Sequence, residues 1–77
     1  MQLASDVMEG DFILRMIGTQ QIWLENYRSI LEYTETQIVV IGKQVRIQMQ
    51  GTNLRIEYYG SVEMKISGRI ESIQILK

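Results

Sequence analysis

Cysteine and histidine are both missing from this chain of 77 residues. Without cysteine there is no disulfide framework and no thiolate nucleophile. Without cysteine or histidine the usual soft ligand sets for zinc, copper and haem cannot be assembled, and no cofactor is expected. The missing histidine also removes the commonest general base. Eight basic and nine acidic side chains leave a net charge of −1. A chain so balanced carries no positive field for a polyanion, and no nucleic-acid partner is expected. No apolar run approaches the ~18 residues needed to span a bilayer. The first ten residues hold Asp6 and Glu9 where a secretory leader would be basic, so a soluble, cytoplasmic protein is expected.

What is present is a β-sheet pattern. Val45, Ile47 and Met49 alternate with Gln44, Arg46, Gln48 and Gln50; Leu54, Ile56 and Tyr58 alternate with Asn53, Arg55, Glu57 and Tyr59; Val62, Met64 and Ile66 alternate with Glu63, Lys65 and Ser67. Period two is the mark of strands with one buried face. In this phase Tyr58 belongs to the core and Tyr59 points away from it. Gly42, Gly51, Gly60 and Gly68 separate the runs at intervals of 9, 9 and 8 residues, which predicts turns and short strands. In the last run Ile70 is out of phase with Ile73 and Ile75. A β-bulge near Glu71-Ser72 would restore all three to one face. Upstream, Phe12 to Ile17, Gln20 to Leu24, Ser29 to Tyr33 and Thr36 to Ile41 read as further strands. Twelve isoleucines and five valines support that reading, because their branched side chains suit a pleated surface.

The expected fold is therefore all-β: a single sheet domain over residues 11–77, of about 6–8 short strands in an antiparallel meander or sandwich. Residues 1–10 are expected to be a flexible N-terminal segment holding at most a helical turn capped by Ser5 or Asp6. The stretches at 45–51 and 62–68 match in pattern, which raises a short β-solenoid as the alternative. Two copies fall short of the three or so repeats such a fold requires.

Paired carboxylates are the one catalytic constellation the composition leaves, as Glu25 with Glu32 or Glu57 with Glu63. A glycosidase-type pair needs its carboxyl groups about 5–10 Å apart across a cleft. So small a domain has little room for one, and the glutamates read better as the solvent face of strands, beside Arg46, Arg55 or Lys65. Trp23, Tyr27, Tyr33, Tyr58 and Tyr59 could stack bases on a sheet, but that mode needs a positive groove. Core and rim packing is the simpler role. The uncharged block Ile38-Val39-Val40-Ile41 is either a buried central strand or a face offered to a partner or a second copy.

The segment from Ile17 to Thr34 carries more information than its composition. It contains Ile17-Gly18, a strand ending in Glu25-Asn26, then Tyr27-Arg28, and finally Leu31-Glu32-Tyr33-Thr34. In this order and spacing it resembles the signature of the YabP/YqfC sporulation proteins, and among them the YqfC type. Asp6-Val7, the strands around Gly51 and the closing Gly68-Arg69-Ile70-Glu71-Ser72-Ile73 extend the resemblance from Leu3 to Leu76. The sequence departs from the pattern at Tyr27, where a histidine is frequent, and in lacking the proline often found near the start. The resemblance implies a small non-enzymatic protein, made in the mother cell of an endospore-forming bacterium and linked to spore envelope or coat formation. It also implies protein partners, among them a membrane-bound sporulation protein, and leaves room for a homo-oligomer. If the shared motif carries an interface, Glu25, Asn26 and Arg28 are its candidates. Otherwise Asn26 only forms a turn and Arg28 only pairs with Glu25 or Glu32. A small RNA- or oligonucleotide-binding β-barrel is the second functional expectation, and a carboxylate-dependent hydrolase subunit the third.

Overall fold

A computed structural model describes residues 6–9 and 12–76, with side chains from Phe12 onward. Its elements are β1 (Asp6–Glu9), β2 (Phe12–Ile17), β3 (Gln21–Glu25), β4 (Tyr27–Tyr33), β5 (Gln37–Gly42), β6 (Val45–Tyr59) and β7 (Glu63–Leu76). They form one seven-stranded sheet in the order β1-β2-β3-β7-β6-β5-β4. Every pairing is antiparallel, which excludes the solenoid. Two meanders, β1 to β3 and β4 to β7, are joined through the ladder between β3 and β7. Residues 6–9, within the segment expected to be flexible or helical, are strand β1 paired to β2. Ser5 lies outside the described residues.

The sheet folds back on itself. Phe12 of β2 reaches Gly42 of β5, its Cδ1 only 2.7 Å from where a Cβ on that glycine would stand. Three strands separate β2 from β5 within the sheet, so only a fold across β6 and β7 can bring them together. Between the two halves lies one core. Phe12, Leu14, Ile22, Leu24, Met64 and Ile66 come from one half, and Ile38, Val40, Val45, Ile47, Met49 and Ile73 from the other.

The fold line corrects the expectation of short strands with a turn at each glycine. Gly18, Gly42 and Gly60 do lie at chain reversals, but Gly51 and Gly68 sit inside β6 and β7. A Cβ on Gly51 would stand 1.9 Å from the Arg69 carbonyl oxygen, and one on Gly68 would stand 2.6 Å from that of Asn53. At this bend the backbones approach too closely for any side chain, a use of strand glycine that looks like a turn in sequence.

Register irregularities accompany the bend. Gln50 pairs with Ser72 and Gly51 with Ile70, leaving Glu71 as an extra residue. That bulge lies where the phase change of the last run placed it, and it keeps Ile70 and Ile73 buried. A further bulge falls at Glu57, because Ile56 pairs with Ile66 but Tyr58 with Lys65. It rotates Tyr58 out of the core phase and leaves it half exposed, contrary to expectation.

Candidate functional site

β3 and β4 follow one another with a single residue between them, yet they pair with different partners, β7 and β5. That residue is Asn26, with φ of 64°. Asparagine tolerates the left-handed region better than other non-glycine residues. Its backbone N–H donates to the Val62 carbonyl at 2.6 Å, which docks the corner onto the β6–β7 turn. The next residue strengthens the junction. Tyr27 is buried, its hydroxyl donates to the Gly60 carbonyl, and its ring leans on Tyr59 with centroids 5.7 Å apart. Burial, then the neighbouring Tyr59 hydroxyl, pushes the Tyr27 phenol above its ordinary pKa and keeps it a donor.

On the outer face beside this corner, β3, β7 and β6 align three side chains in one row. Trp23 stands opposite Lys65, and Lys65 opposite Tyr58. The Trp23 and Tyr58 rings are nearly parallel, 7° apart, with centroids at 6.3 Å. Tyr58, Tyr59 and Val62 are all at least half exposed, so the corner is the most aromatic part of the described surface. The Trp23 indole N–H donates to Glu25 at 2.8 Å. Glu25 in turn faces Glu63 directly across the β3–β7 ladder.

The residues singled out in sequence take different places. Glu25 is part-buried in the row beside Trp23. Asn26 is the corner itself. Arg28 is exposed and is the extra residue of a bulge in edge strand β4, since Tyr27 pairs with Gly42 and Ser29 with Ile41. Ile38, Val39 and Val40 are buried in interior strand β5, and only Ile41 keeps partial exposure. Of the two uses weighed for this block, the fold gives it that of a central strand.

Neither expected carboxylate pair is assembled as such. Glu32 accepts from the Gln37 side chain at 3.0 Å, Glu57 accepts from the Ser67 hydroxyl at 2.7 Å, and Glu63 stands opposite Glu25. Two concavities on the surface are open and not enclosed. One of about 480 Å³ lies along the β2–β3 turn, lined by Ile17, Thr19, Gln20 and Ser67 without an acid or a base. Among the described residues no cluster of Asp and Glu is placed to hold a metal, and no helix is long and apolar enough to cross a membrane.

The row of Trp23, Lys65 and Tyr58 is not legible in the sequence because the bulge at Glu57 is unmarked there. The residues after it, Tyr58 and Tyr59, are amphipathic and fit either face of a strand. Compared with known proteins, residues 9–77 match the model of the YabP family. No curated protein matches the chain, and no solved structure does.

Proposed function

This chain belongs to the YabP family, and we propose from that premise that it is a non-enzymatic sporulation protein that works by binding protein partners. The family match over residues 9–77 carries the sporulation assignment. In the finer reading it acts in the mother cell, on the cytoplasmic side, during formation of the spore envelope or coat. A membrane-bound sporulation protein is its partner, and a second copy of the chain is a further candidate. The aromatic corner supports binding over catalysis. Exposed aromatic surface is the usual material of interface anchors, whereas catalysis asks for a cleft with convergent acids and bases. A net charge of −1 argues against an RNA ligand.

Deleting the chain from a sporulating host tests the assignment, with heat-resistant spore yield and envelope morphology as readouts. Normal spores would refute it. Affinity purification of the tagged chain through the sporulation time course, read with its sedimentation in solution, tests the partner. Recovery of a membrane protein at stoichiometric level is the expected result.

A further inference from the structure

Two carboxylates placed opposite each other on neighbouring strands repel, and a fold gains nothing from the arrangement. Glu25 and Glu63 stand so on the β3–β7 ladder, both on the outer face and both part-buried. The Trp23 indole holds Glu25 in place, while the Glu63 carboxylate has no hydrogen bond or ion pair among the described residues and its backbone carbonyl accepts from the Gly60 N–H. Beside them run the parallel Trp23 and Tyr58 rings. A part-buried acidic pair next to aromatic faces is complementary to one kind of group: a cation that can pair with the carboxylates and lie against the rings.

We infer that the outer face of β3 and β7, with Tyr58 at its margin, docks a basic segment of a protein partner. A lysine or arginine of that segment enters between Glu25 and Glu63 and packs on Trp23. The inference rests on the interaction role proposed above and names the chemistry of the partner. Arg15 and Lys65 lie on the same face, opposite Trp23 from either side. They confine the acidic character to the corner end of the face and so orient the incoming segment. An acidic segment would instead meet like charge at the glutamate pair.

Trp23 is the sole tryptophan of the chain, so its fluorescence reports on this face alone. The full chain is titrated at low salt with the peptide acetyl-Gly-Arg-Gly-Arg-Gly-amide and with its glutamate counterpart. The expected result is a saturable change with the arginine peptide only, weakened at least fivefold by Glu63→Lys and by 0.5 M salt. If Glu63→Lys does not fold, Glu63→Gln and Glu25→Gln carry the comparison, each checked by circular dichroism. No saturable response, an equal response to the glutamate peptide, or a response indifferent to all these substitutions overturns the inference. The broader reading is scored separately in cells. If deletion lowers spore yield and the folded Glu63→Lys protein restores it fully, the docking face is refuted and the sporulation role stands. If deletion has no effect, the sporulation role itself fails.

Discussion

Glu25 and Glu63 face one another across the β3–β7 ladder with no cation in the same cross-strand pair. Like charges in this position cost a few tenths of a kcal/mol to about 1 kcal/mol, so neutralising one should stabilise the fold. Glu63→Gln is expected to raise the free energy of unfolding by about 0.5 kcal/mol, read by urea denaturation at low salt, and the gain should shrink as salt is added. A loss of stability would show that the pair is held by something other than repulsion.

Gly51→Ala should be severely destabilising. The new Cβ would stand 1.9 Å from the Arg69 carbonyl oxygen, a backbone atom that cannot move without opening the bend. A cost of about 3 kcal/mol or more is expected, against roughly 1 kcal/mol at Gly18, where a Cβ meets nothing and only the positive φ is unfavourable. Denaturation midpoints of the two variants measure the difference.

At the corner, Asn26→Gly should cost less than Asn26→Val. The backbone there has φ of 64°, which glycine adopts freely and a β-branched residue resists by about 1–2 kcal/mol. If Asn26→Ala with Arg28→Ala leaves both the fold and sporulation intact, neither residue is part of an interface.

Tyr27 gives the stability a dependence on alkaline pH. Its phenol is pushed above the ordinary value of 10.0, so the folded state keeps a proton that the unfolded chain releases. The contribution is complete below pH 10 and is lost as pH rises through the higher folded value. Tyr27→Phe should remove this alkaline component and cost about 1 kcal/mol at neutral pH, through the unsatisfied Gly60 carbonyl. Denaturant melts between pH 8 and 11 on both proteins check the sign.

The parts of the fold legible in sequence were those where side-chain phase alone decides. Ile70 falls out of step with Ile73 and Ile75, and the bulge at Glu71 follows directly. Gly51 and Gly60 have the same look, a glycine after an alternating run, yet one bends a strand and the other ends it. The difference lies in the Arg69 carbonyl packed against Gly51, a partner eighteen positions away that local pattern does not contain. Val39 illustrates the limit on burial. It occupies the solvent-side phase of β5, but Glu32 and Gln48 flank it across the sheet, and the hydrogen bond between the Gln37 and Gln48 side chains closes over that face. As for the candidate site, Glu25 and Asn26 stand out through the family motif, while Glu63, Lys65 and Tyr58 join them only through the β3–β7 and β6–β7 registers.

The pairing of β3 with β7 also sets the order in which the molecule can form. β4, β5 and β6 all come between the two strands in the chain, so closing this ladder means fixing a long loop before its contacts repay the lost entropy. The hairpins of β5, β6 and β7 are local and can form first, presenting Met64 and Ile66 as a template on which Ile22 and Leu24 then settle. During synthesis the strand bearing Trp23 emerges long before its partner. Until β7 follows, its apolar face stays open to chaperones and to other chains, and a fragment ending before Glu63 should remain unfolded.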